Sequence, residues 1–126
     1  FLDCPPNITL VSENVFTAAD AILVPLIPTT LSMLTYRKLI GFFGDAGLNP
    51  KKLHPFLSMV ETRKRMHRDT IREILEAKIN PLNAVIPYNA DVEKMGMYRS
   101  PLTQHRPGSI GARAFGRLWD DVKTCL

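Results

Sequence analysis

The run Ala21-Ile22-Leu23-Val24-Pro25-Leu26-Ile27 constrains this chain more than any other segment. A nearly all-apolar stretch of that length, interrupted by Pro25, suits a strand buried on both faces, the situation of a parallel sheet with helices on either side. It is too short for a membrane-crossing helix, which needs roughly 20 apolar residues. Around it, short apolar runs alternate with longer segments at helical spacing, a rhythm that predicts an α/β fold with a mostly parallel sheet flanked by helices.

Phe1-Leu2 reads as the tail of a first strand, Ser12 to Ala19 as a short helix, and Ala21 to Ile27 as a second strand stopped by Pro28. Leu34, Leu39, Ile40 and Phe43 predict a helix from Leu31 to Phe43, broken by Gly44 to Pro50. Pro55 to Val60 is the third strand. Ile71, Ile74 and Leu75 predict a helix over Asp69 to Lys78, ended by Asn80-Pro81 before a fourth strand at Ala84 to Ile86. Tyr88 to Gly108 has no sustained periodicity and is predicted to be a long, functional or partner-bound loop. A closing helix over Ser109 to Thr124 carries an apolar stripe of Ile110, Ala114, Phe115, Leu118, Trp119 and Val122.

Composition narrows the function classes. With 126 residues and 45% apolar content, residues 1–126 form one domain. Phe1 opens directly into an apolar run without a basic leader, so the chain reads as part of something longer. Cys4 and Cys125 make neither a disulfide framework nor a CxxC motif, which predicts reduced, intracellular thiols. His54, His67 and His105 are scattered, so no zinc site is expected, and no serine sits in a GxSxG elbow to suggest a nucleophile. Sixteen Lys and Arg against twelve Asp and Glu give a net charge of +4, which permits a polyanion partner.

Two places could carry chemistry. In Phe1-Leu2-Asp3-Cys4-Pro5-Pro6 a carboxylate ends an apolar strand before a stiff turn. Such an Asp can hold Mg²⁺ through water, and the ion can bridge nucleotide phosphates; it can equally cap the turn. Arg63, Lys64, Arg65, Arg68 and Arg72 form a basic cluster. If a helix begins early enough, positions 65, 68 and 72 share one face, suited either to phosphates or to solvent and intrahelical pairs with Asp69 and Glu73.

Asp3-Cys4-Pro5-Pro6, followed by Asn14 to Asp20 and Ala21 to Pro25, resembles the Walker B region of the ParA/MinD family of deviant-Walker partition ATPases. Met59-Val60-Glu61-Thr62-Arg63 is similar to that family's strand-end segment, with Glu61 where Asp is usual. Val85-Ile86-Pro87-Tyr88-Asn89, with Tyr98, Pro101, Gly111 and Ala114 after it, resembles its nucleotide-base loop and closing helix. The resemblance spans essentially the whole chain and implies the C-terminal portion of a P-loop NTPase fold. It implies Asp3 as the Mg²⁺ ligand through water and Cys4, Pro5 and Pro6 as the start of a switch segment. Pro87, Tyr88 and Asn89 would meet the adenine, and Arg63, Lys64, Arg65, Arg68 and Arg72 would meet non-specific DNA.

The phosphate-binding loop itself is not in this sequence. The seven glycines never form a Gly-rich turn followed by Lys-Ser or Lys-Thr. The resemblance therefore implies ATP and Mg²⁺ as cofactors of an intact parent that dimerises, works with a ParB-like stimulating partner and resides in the bacterial cytoplasm at the nucleoid. The chain alone is expected to bind neither cofactor and to hydrolyse nothing. The alternatives are a MinD-like positioning ATPase for another cargo and a non-catalytic interaction module of the same fold. Asp120 and Asp121 in the closing helix argue against a basic membrane-binding tail, so no membrane partner is expected.

Overall fold

The computed structural model describes residues 1–4 and 9–126. Three strands form one parallel sheet in sequential order: β1 (Ile22–Leu26), β2 (Leu53–Val60) and β3 (Val85–Pro87). Parallel neighbours need crossovers, supplied here by α2 (Thr30–Asp45) between β1 and β2 and by α3 (Arg65–Glu76) between β2 and β3. The helix α1 (Leu10–Ala18) precedes the sheet, and α7 (Ile110–Lys123) closes the chain. The expected α/β class and parallel sheet are what the molecule has.

Register distributes the side chains. Ile22 pairs with Leu53, Val24 with Pro55 and Leu26 with Leu57, so these residues share one face. On it Phe16, Phe43 and Leu53 form one buried cluster, and Met33, Leu57, Val60 and Ile74 another, so α1, α2 and α3 cover this side. Leu23 and Phe56 point the other way and pack against Ala84, Ile86, Ala114, Leu118 and Val122, the core under α7. Asp121 Oδ2 accepts the Ala84 amide at 2.7 Å, tying the end of α7 to the start of β3.

Strict alternation would place Val60 opposite Leu57, yet both join the same cluster. Met59 resolves this: its φ of 53° is left-handed, and the β2–β3 register shifts between Leu57 and Val60. One extra residue in the strand reverses the parity of everything after it. Pro55 is tolerated in the central strand for a related reason. Its carbonyl accepts the Leu82 amide at 2.8 Å, and the ladder to β3 starts only at Leu57. In a parallel strand the N–H and C=O of one residue face the same neighbour, so the missing N–H falls where β3 has not begun.

Three expectations are corrected. Phe1-Leu2 is not a strand of this sheet: both residues are exposed, and the Phe1 ring lies 5.9 Å from that of Trp119. The helix expected from Asp69 begins at Arg65. The stretch expected to be a loop contains three four-residue helices, α4 (Ala90–Glu93), α5 (Met95–Tyr98) and α6 (Leu102–His105). Of these, α4 and α6 press against α7 so closely that a Cβ on Gly111 would lie 2.6 Å from Leu102 Cδ2 and 2.9 Å from Val92 Cγ2. The outer edge of β1 has no strand partner among the described residues.

Candidate functional site

The carboxyl ends of the three strands lie at one margin of the sheet, where open α/β proteins gather ligands. Two of the ends are joined directly, since the Tyr88 amide donates to the Val60 carbonyl at 3.0 Å. This bond sets the segment after β3 beside the segment after β2, so Pro87 to Asn89 and the basic cluster are neighbours.

After β3, Pro87 is half-buried at the strand end, and Tyr88 is 46% exposed. The Glu93 carboxylate, through hydrogen bonding and charge, pushes the Tyr88 phenol above its ordinary range. Asn89 is the N-cap of α4: its Oδ1 accepts the Asp91 amide at 2.7 Å. That use fixes the orientation of the side chain and leaves both Nδ2 hydrogens as donors available to a ligand. Beside it a cleft of about 470 Å³ opens towards the N-terminus of α7, lined in part by Asn89, Asp91, Arg106, Ser109 and Ile110. Arg106 Nη1 and Asp91 Oδ1, 2.6 Å apart, brace one wall. Ser109 caps α7 by accepting the Ala112 amide at 3.1 Å. Sequence reasoning missed Asp91, Arg106, Ser109 and Ile110 as lining residues. The signal available was the Asn-x-Asp sequence at 89–91, a helix-start pattern that four-residue helices make easy to overlook.

After β2, the chain turns through Glu61 to Lys64 into α3. The Glu61 amide donates to Nδ1 of the buried His67 at 3.1 Å, and the Glu61 carboxylate pairs with Lys64. Arg68 Nη1 donates to the carbonyls of Thr62 at 2.9 Å and Arg63 at 3.3 Å. Because α3 starts at Arg65, residues 65, 68 and 72 follow one another at spacings of three and four and occupy one exposed face. Asp69 pairs with Arg65 at 3.5 Å, while Glu73 reaches across to Arg37 of α2 at 2.8 Å. Arg63 and Arg72 have no ion pair among the described residues, so acidic partners neutralise only part of the cluster.

Asp3 and Cys4 lie elsewhere. Cys4 packs as a small apolar group against the cluster of Phe16, Phe43 and Leu53, the last at the amino end of β2. Phe1 rests on Trp119, two residues from the Asp121 that binds the start of β3. The structure therefore sets Phe1 to Cys4 towards the amino ends of the strands and does not bring the exposed Asp3 to Pro87, Tyr88 and Asn89. Pro5 and Pro6 lie outside the described residues. Among the described residues no group of three or more His, Cys, Asp or Glu side chains could hold a metal ion. No helix there is long and apolar enough to cross a membrane.

No protein-family model matches the chain. It is similar to the chromosome-partitioning ATPase Soj of Thermus thermophilus, 26% identical over 126 residues covering 96% of this chain and 51% of that protein. It is also similar to the virulence plasmid ParA family protein pGP5-D of Chlamydia psittaci, 27% identical over 128 residues covering 99% of this chain and 49% of that protein. The chain thus spans about half the length of the curated relatives it matches.

Proposed function

We propose, from a chain similar to ParA-type partition ATPases along nearly all its length, that it serves as the C-terminal half of such an enzyme. The observation that carries this reading is the parallel sheet with its strand-end loops at 60–64 and 87–89, in a chain aligned over 96% and 99% with two such proteins. In the complete protein, Pro87 and Tyr88 would flank an adenine, with Asn89 Nδ2 as a directing donor. Asp3 would support Mg²⁺ through water, which requires a strand beside residues 1–3 to carry them to the carboxyl margin. Cys4, Pro5 and Pro6 would follow as the segment that responds to the terminal phosphate. The ATP supplies the phosphoryl group whose hydrolysis drives the cycle; this half supplies base recognition, one carboxylate and a basic face. That face, Arg63, Lys64, Arg65, Arg68 and Arg72, would neutralise DNA phosphates without reading bases. Dimerisation around nucleotide, a ParB-like stimulating partner and a nucleoid location in the cytoplasm complete the reading.

The test is ATP turnover by the chain alone and by the chain joined to an upstream half bearing a phosphate-binding loop. Turnover by the joined protein only, abolished by Asp3→Asn, is the expected result. A joined, folded protein without turnover would instead favour a non-catalytic module of the same fold.

A further inference from the structure

Resting on the DNA reading above, we propose that Arg68 is a positioning residue for the basic face. It holds the turn from Glu61 to Lys64 so that Arg63 meets the phosphate backbone, and it is not itself a phosphate contact.

The helix α3 has no side-chain cap: Lys64, its N-cap residue, makes no capping hydrogen bond. The entry to the helix is secured instead by groups folded back from its first turn. His67, only 3% exposed, takes the Glu61 amide on Nδ1. Arg68 reaches back five and six residues to place Nη1 on the Thr62 and Arg63 carbonyls. With Lys64 paired to Glu61, the turn is fastened at four successive residues. Both Nη1 hydrogens of Arg68 are spent on these carbonyls, which holds the guanidinium against the turn and leaves only Nη2 and Nε to face outward. Arg63 and Arg72 have no such commitment among the described residues, and both are exposed. Five residues that read as one cluster thus divide by their hydrogen bonds into a brace and a contact set.

The experiment compares the full chain with Arg68→Met, Arg63→Ala, Arg72→Ala and the double variants that add Arg68→Met to each alanine. Arg68 is exposed, so its replacement leaves the core intact. Binding of a fluorescein-labelled duplex of arbitrary sequence is measured against salt, and amide exchange is followed at Glu61 and Lys64. Arg68→Met is expected to weaken binding and speed that exchange. Added to Arg63→Ala it should weaken binding little further, whereas with Arg72→Ala, a residue that shares no bonded partner with Arg68, the two effects should come much closer to multiplying. A general loss of stability would act on both backgrounds alike. Full multiplication with Arg63→Ala, with Glu61 and Lys64 exchange unchanged, would overturn the proposal and make Arg68 a phosphate contact. If the unaltered chain shows no salt-dependent DNA binding, the DNA reading fails separately. Exchange then decides the brace: faster exchange in Arg68→Met upholds it, and unchanged exchange rejects it.

Discussion

Asn89 shows how far a single side chain can be read and where reading stops. Its place after Val85-Ile86-Pro87 was legible, but its commitment was not, because the cap on Asp91 depends on a helix too short to leave a periodic trace. The commitment makes two substitutions separable. Asn89→Asp keeps an oxygen for the cap and loses the Nδ2 donor, so in the complete protein it should weaken nucleotide binding while the melting temperature holds. Asn89→Ala loses both and should in addition cost about 1 kcal/mol of stability, the usual value of an N-cap. Calorimetric melting beside nucleotide titration checks the pair. Arg72 offers a second residue-scale test. As a cation on the exposed face of α3 with no ion pair among the described residues, its replacement by Ala should lower the slope of log affinity for DNA against log salt by about 0.9, the share of one phosphate contact. An unchanged slope would assign Arg72 to solvent.

At the scale of elements, the strands were the legible part. The run at 21–27 contains β1, and β2 and β3 fall within two residues of their expected starts. Apolar runs bounded by Pro and Gly carry that information in composition. The start of α3 was hidden because Arg65, Met66 and Arg68 are exposed and the buried positions there are His67 and Thr70. Burial of polar groups leaves no apolar stripe to count. The bulge at Met59 was equally invisible: its left-handed backbone follows from the need to bring Val60 back to the face of Leu57, a tertiary demand that no local preference of Met encodes. Gly111 is where the short helices and α7 constrain each other. Gly111→Ala should favour the helix locally but drive a methyl group into Leu102 and Val92. Overpacking of this kind costs about 1–3 kcal/mol, against a gain of about 1 kcal/mol in helix propensity. A lower denaturation midpoint is therefore predicted, with greater exchange at 90–106 than at β1.

On the scale of the whole molecule, the sheet is covered unevenly. One face is shielded by α1, α2 and α3, the other by α7 over β3, and the outer edge of β1 carries no strand among the described residues. Val24 and Leu23 are consequently half-buried in a run whose composition suits full burial on both faces. Phe1-Leu2, expected to be the tail of a strand, does not pair with that edge. An open parallel edge invites association, although Pro25 supplies one N–H fewer. The chain alone should therefore melt at a temperature that rises with its concentration. A concentration-independent, cooperative transition of a monomer would contradict this.

The central claim, that this is half of a nucleotide-binding partition ATPase, is tested most directly by equilibrium binding of a fluorescent ATP analogue with Mg²⁺. The chain alone and the chain joined to an upstream half with a phosphate-binding loop are measured side by side. The account predicts binding by the joined protein only, weakened by Asp3→Ala when Mg²⁺ is limiting. Binding by neither, with both folded, would contradict it.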